Sequence, residues 1–133
     1  MTLPLVELAV VVPVFEEEDN VLPLAQEIGQ ALQRQALTYQ IVFVDDASRD
    51  RTWAKIEEAR ALDLHVCGLR HGRNAGQSAA VWTGFSHTNS RWIATLDGDR
   101  QNDPEQLQVV LFAIGGGVGG LPGWIQGEVM RGG

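Results

Sequence analysis

The chain has 133 residues, of which 44% are hydrophobic and 20% charged, with a formal charge of −7 at pH 7. That length suits one ordinary domain with room for a real core, and the composition excludes a disordered chain. The acidic balance argues against a nucleic-acid-binding surface, which needs clustered Lys and Arg, but leaves room for an anionic substrate held through a cation.

Leu8 to Val14 (LAVVVPV) is β-branched and nearly continuous, the pattern of a strand buried on both faces. Val21, Ala25, Ile28 and Leu32 then recur at helical spacing, predicting a helix from about Val21 to Gln35. YQIVFV predicts a second buried strand, after which Asp50 or Thr52 opens a helix with Trp53, Ile56 and Ala59 on its apolar face. LHVCGL predicts a third strand, followed by a helix from about Gly76 to His87 carrying Ala79, Ala80, Trp82 and Phe85. WIATL is the fourth strand, and Asp103 with Pro104 caps a helix carrying Leu107, Val110 and Leu111. Strand and helix thus alternate four times, which predicts an α/β fold with an open, mainly parallel sheet and right-handed crossovers. The lone Cys67 can form no internal disulfide and reads as a buried small hydrophobe. The amino-terminal stretch lacks the basic start of a signal peptide, and no apolar run is long enough to span a bilayer. The expected location is cytoplasmic.

This layout sets Glu16, Glu17 and Glu18 after strand one, Asp45 and Asp46 after strand two, Arg70 after strand three, and Asp97 and Asp99 after strand four. All lie at the carboxyl ends of parallel strands, the edge of an open α/β sheet where ligands bind. Each alone is explained by a turn or cap, but four sets on one edge mark a site. The first loop, PVFEEEDN, has no G-x-G-x-x-G, and no G-x-x-x-x-G-K-[ST] occurs, which disfavours a Rossmann dinucleotide site and removes a P-loop. Asp97, Asp99 and Gln101 form an all-oxygen set of the kind that Mg²⁺ or Mn²⁺ prefers, usually with waters and substrate phosphates completing the shell. His65, His71 and His87 lack zinc-site spacing and are expected to face solvent or sit at helix ends. Arg70 and Arg73 are candidates to face phosphate, with solvated side chains as the alternative, while Gln77, Ser78 and Ala79 look like small packing residues where helix meets sheet.

Four stretches in order, VVVPVFEEEDNV, IVFVDDASRDRT, RNAGQSAAVWTGF and LDGDRQNDPEQL, resemble the successive motifs of the inverting GT-A glycosyltransferases of family 2. Within it they are most similar to the polyprenyl-phosphate sugar transferases, the dolichol-phosphate mannose synthase and undecaprenyl-phosphate group. The resemblance covers roughly residues 6 to 112. It implies a GT-A, Rossmann-like fold in which Pro13, Phe15 and Glu17 contact the base and ribose of a nucleoside-diphosphate sugar. It likewise implies that Asp45 reads the base edge with Asp46 beside it, that Arg73 belongs to the region shaping the donor pocket, and that Asp97 lies nearer the sugar-nucleotide. Asp99 and Gln101 would then hold the metal, with Asp97 and Asp99 the catalytic pair. Phe15 and Glu16 stand where the family usually has Tyr and Asn, and Gly98 and Arg100 where this branch often has Ala and Leu. Ser48, Asp50 and Thr52 match the turn after DD, where capping alone explains them.

On this resemblance a sugar passes from the donor to a polyprenyl-phosphate acceptor at a membrane surface, the full-length protein acting at its cytoplasmic face. The metal stabilises charge on the leaving diphosphate. The acceptor phosphate is already an anion, so no general base is required, and a single in-line displacement inverts the sugar carbon. Residues 1–112 would form the donor half. From Gly115 onward nine of nineteen residues are glycine, which reads as a flexible tail over 113–133, or as a truncated or frame-altered chain lacking the acceptor half. Two alternatives are a non-catalytic nucleotide-binding remnant and a phosphorelay receiver. The receiver needs a phosphoacceptor Asp two strands later and a strand-end Lys, whereas the one lysine, Lys55, falls in the second helix.

Overall fold

The computed structural model describes residues 5–96 and, further along, the strands at 110–113 and 129–131. In chain order these are β1 (Leu5–Val14), α1 (Val21–Gln33), β2 (Tyr39–Asp45), α2 (Thr52–Leu62), β3 (Val66–Arg70), α3 (Gln77–His87), β4 (Asn89–Thr95), β5 (Val110–Ala113) and β6 (Val129–Arg131). Among the described residues they form one sheet in the order β3-β2-β1-β4-β5-β6. All neighbours run parallel except β4 and β5. The open, mainly parallel α/β sheet expected from the alternation is therefore the fold that forms. A phosphorelay receiver has the order 2-1-3-4-5, which puts its third strand beside its first; here β3 lies outside β2, and the receiver reading falls.

β1 is the central strand, and its alternation divides the core. Leu8, Val10, Val12 and Val14 pack with Ile41, Phe43, the buried face of α1 (Val21, Leu24, Ala25, Ile28, Leu32) and Ile56 and Ala59 of α2. Val11 packs on the opposite face with Val42, Val44, Ile93 and Ala80 of α3. Two helices thus cover one face and α3 the other, as the period of two in a strand buried on both sides requires. Pro23 sits in the first turn of α1, where its missing N–H has no helical partner to lose.

Three expectations are corrected. Val110 and Leu111 belong to β5, antiparallel to β4 with Thr95 opposite Val110, and not to a helix. A short run such as VVLFA fits either period, and the open edge of β4 supplies backbone partners that an isolated turn of helix lacks. Trp82 is 70% exposed, so the buried face of α3 is Ala80 and Gly84 rather than a large apolar stripe. Cys67 is only partly buried, packed like Leu69 and Phe85 against the cluster around Val11, and desolvation pushes its thiol up to about 11. Within the glycine-rich segment, Val129–Arg131 pairs with β5.

Gly84 shows why α3 must be lined with small residues. A Cβ there would lie 2.3 Å from Cγ1 of the fully buried Val11. Alanine gains about 1 kcal/mol of helix propensity at such a site, but overpacking against a stiff β-branched neighbour costs about 1–3 kcal/mol. Gly84→Ala is therefore expected to lower the urea unfolding free energy. Val11→Ala should then cost less in that background than in the native chain, and equal costs would show that α3 does not lie this close to β1.

Candidate functional site

The strand registers bring the polar residues to one row. Val14 pairs with Asp45, and Asp45 with Arg70, so β1, β2 and β3 end flush. β4 ends on the other side of β1, where Leu96 N–H donates to the Val11 carbonyl at 3.1 Å. Loops from β1 therefore leave toward α1 while β4 returns from α3, and the sheet opens between β1 and β4 at its topological switch point. Val11 turns its backbone toward β4, so Pro13, two residues on, does likewise beyond the last described pair. Its missing N–H costs no ladder bond.

The loops after β1 and β2 hold each other. Glu16 N–H donates to Ser48 Oγ at 2.8 Å, and Glu17 N–H to Thr52 Oγ1 at 2.8 Å. The Thr52 hydroxyl in turn donates to Asp50 Oδ1 at 2.5 Å, and that oxygen also takes the Thr52 N–H at 2.9 Å. Glu17 Oε2 accepts from Asn20 Nδ2 at 2.6 Å. Glu16 and Ala47 both have positive φ, 52° and 62°, a left-handed conformation that costs a non-glycine residue about 1–2 kcal/mol. The hydroxyl bonds from the facing loop offset that strain and fix both turns. Ser48, Asp50 and Thr52 thus do more than begin a helix; they fasten the first loop to the second.

The two adjacent aspartates have opposite surroundings. Asp45 is wholly buried. Its Oδ1 accepts the Ser48 N–H at 3.0 Å, while its buried Oδ2 has no hydrogen-bond partner among the described residues. Arg70 Nε is 3.8 Å from that oxygen, beyond hydrogen-bond reach, and its guanidinium sits 5.5 Å from the Trp53 ring centroid. Asp46 is the reverse case. Oδ1 accepts from Ala75 N–H and His71 Nδ1, both at 2.8 Å, and Oδ2 from Gly76 N–H at 2.8 Å and Asn74 Nδ2 at 2.9 Å. Burial pushes the Asp46 carboxyl up, but the hydrogen bonds from His71, Ala75 and Gly76 outweigh it and hold the group below its ordinary value of 3.8.

Pro13, Phe15, Glu17 and Asp46 line one cavity of about 210 Å³ together with Val14, Gln77 and Ala80. Phe15 is 44% exposed at its rim. Asp45 lies behind them, at the end of the neighbouring strand. Arg73 is exposed and makes no hydrogen bond or ion pair among the described residues. Asp97, Asp99 and Gln101 lie outside the described residues, and among those described no group of three or more His, Cys, Asp or Glu could hold a metal ion. No described helix is long and apolar enough to cross a membrane.

The histidines divide. His87 does sit at the end of α3, its Nδ1 2.8 Å from the Thr83 carbonyl, and half-exposed His65 pairs with Asp63 and stacks on Tyr39. His71 is the exception. It is mostly buried and bridges Asp46 and Thr83, a role unreadable from sequence because its partners stand 25 and 12 residues away. Its one signal is its place directly after the end of β3. Asn74 shares that loop, and its bonds to Asp46, 28 residues away, are equally invisible in the sequence.

Asp46 generates a pH prediction. Its folded value lies below 3.8, so its stabilisation is fully present above that pH and is lost as pH falls through the folded value. Asp46→Asn sets an amide against the Asn74 and Gly76 donors and should destabilise the chain by about 1–3 kcal/mol at pH 7. Urea unfolding from pH 7 to pH 2 should show that deficit shrinking below pH 3.8. A deficit constant with pH would mean that the native Asp46 charge contributes nothing.

Residues 9–125 match the model of Glycosyl transferase family 2. Solved structures share the fold at low identity. S. aureus TarS 1–349, solved with UDP-GlcNAc, is 20% identical with a TM-score of 0.60 over 70% of this chain and 26% of its own. The mannosyltransferase PcManGT of Pyrobaculum calidifontis, solved with GDP-Man and Mn²⁺, is 23% identical with a TM-score of 0.57 over 72% and 28%. Mannosyl-3-phosphoglycerate synthase of Rubrobacter xylanophilus is 22% identical with a TM-score of 0.62 over 74% and 32%. The chain thus spans a quarter to a third of the length of these proteins. With a family match that runs from the centre of β1 past β5, the chain belongs to glycosyl transferase family 2.

Proposed function

We propose that this chain is the donor-binding half of an inverting glycosyltransferase, moving a sugar from a nucleoside-diphosphate sugar to a polyprenyl-phosphate-type acceptor at the cytoplasmic face of a membrane. The observation that carries the donor reading is the buried Oδ2 of Asp45, which has no hydrogen-bond partner among the described residues and lies 3.8 Å from Arg70 Nε. A buried acceptor left without a donor costs about 1–3 kcal/mol, and a base N–H arriving at the sheet edge relieves that cost. UDP-GlcNAc bound to TarS and GDP-Man with Mn²⁺ bound to PcManGT support this class of donor. The acceptor reading rests on the motif resemblance alone.

The residues divide the work. Pro13 and Phe15 offer an apolar surface to the base, Glu17 an acid to the ribose, and Asp45 an acceptor to the base edge. Exposed Arg73 would face the phosphates, and Asp97 would stand beside the sugar-nucleotide. Asp99 and Gln101 with Asp97 form an oxygen donor set that suits Mg²⁺ or Mn²⁺, and the ion would supply Lewis-acid stabilisation of charge on the leaving diphosphate. The acceptor phosphate needs positioning rather than deprotonation. Residues 1–112 make up this donor half and 113–133 a glycine-rich continuation.

Asp45→Asn separates reading a base from holding the fold. The amide oxygen keeps accepting from Ser48, while the Oδ2 position becomes a donor that repels a base N–H. Calorimetry with UDP and GDP in the presence of Mn²⁺ should show at least about tenfold weaker binding for Asp45→Asn with little change in melting temperature. Asp99→Ala should bind diphosphate with no Mn²⁺ dependence. A native chain that bound neither diphosphate would overturn the donor reading. Transfer to a polyprenyl phosphate would mark this chain as an enzyme in its own right, and binding without transfer would mark it as a nucleotide-binding remnant.

A further inference from the structure

His71 hydrogen-bonds both the residue after β2 and the body of α3. Its Nδ1 lies 2.8 Å from Asp46 Oδ1, its Nε2 2.7 Å from Thr83 Oγ1, and its backbone N–H donates to the Asp45 carbonyl at 2.9 Å. The two ring nitrogens thus face a carboxylate on one side and a hydroxyl on the other. Asp46 is itself the anchor of the β3–α3 loop, taking the Ala75 and Gly76 amides and the Asn74 side chain. That loop is otherwise loosely specified. Gly72 has open space where a side chain would stand, Gly76 has φ 99°, and residues 72–75 are exposed. It also carries Arg73 and leads into Gln77, which lines the cavity with Phe15 and Glu17.

We propose that His71 is a positioning residue of the sugar-nucleotide site: by holding the Asp46 carboxylate in place from Thr83, it sets the loop that presents Arg73 and Gln77 to the donor. His71 touches no ligand in this account. Without it, Asp46 keeps its charge but loses the bond that fixes its direction, and the Ala75 and Gly76 amides lose a rigid acceptor. The cost then falls on donor binding, because a loop not held before the ligand arrives must be ordered when it does. The proposal rests on the donor reading above.

Two variants and two readouts test it. His71→Ala removes the bridge, whereas His71→Asn carries an amide nitrogen close to the position of Nδ1 and keeps the bond to Asp46. Amide hydrogen exchange followed by NMR should show Ala75 and Gly76 exchanging about tenfold faster in His71→Ala, the effect of one lost buried hydrogen bond. The calorimetric Kd for UDP or GDP with Mn²⁺ should rise about tenfold in the same variant. Both changes should be smaller in His71→Asn, which keeps the bond to Asp46 but loses the one to Thr83, and neither should track melting temperature alone. Unchanged exchange at Ala75 and Gly76 in His71→Ala overturns the proposal whatever the nucleotide does. Tight native binding matched by His71→Ala overturns it while leaving the donor reading intact. A native chain that binds no diphosphate sinks the donor reading and this proposal with it.

Discussion

The alternation of side chains at the end of β2 is the constraint on which the site depends. Successive strand residues point to opposite faces, and Phe43 packs toward α1 and α2 while Val42 and Val44 pack toward α3. Asp45 continues the first series and Asp46 the second. Two neighbouring carboxylates are thereby kept apart and given different work. Asp46 is turned toward α3 and is saturated by four donors from a single loop and its histidine. Asp45 lies 3.8 Å from Arg70 Nε. One acid holds the frame, and the other keeps a buried oxygen without a hydrogen bond among the described residues.

Everything around the pair stiffens that arrangement. The flush ends of β1, β2 and β3 give the loops a common origin, and the Ser48 and Thr52 hydroxyls lock the turn after β1 onto the turn after β2. Strained backbone at Glu16 and Ala47 persists because these bonds over-determine it. On the far face α3 approaches so closely that Gly84 lies against Val11, which brings Thr83 within reach of His71. Helix packing and loop geometry are thus one problem. Tight contact between small residues on the sheet sets the position of a hydroxyl, and through His71 and Asp46 the position of a loop.

The four parallel strands were legible in the sequence because strands buried on both faces write near-continuous β-branched runs, LAVVVPV and YQIVFV above all. The placing of Asp45 and Asp46 at the carboxyl edge was legible for the same reason: once the strands are placed, the acid pair falls at the end of β2. What alternation and spacing could not carry was pairing across distance. The His71–Asp46–Thr83 chain joins three segments with no sequence relation to one another, and the DD pair shows no sign of which acid is saturated. VVLFA failed as a helix because four strand residues contain too few periods to tell the two structures apart. Trp82 misled because a large aromatic at helical spacing looks like core, while the residues α3 buries are the small Ala80 and Gly84, with Phe85 partly buried beside the cluster around Val11.

If the division between the aspartates is right, a donor should engage one and leave the other undisturbed. The direct measurement is a crystal structure with a nucleoside diphosphate and Mn²⁺ bound. A base N–H is expected about 3 Å from Asp45 Oδ2, a hydrogen-bonding distance, with Asp46 still held by His71, Ala75 and Gly76. A base lying away from Asp45, or an Asp46 carboxylate released from its loop to meet the ligand, would contradict the account.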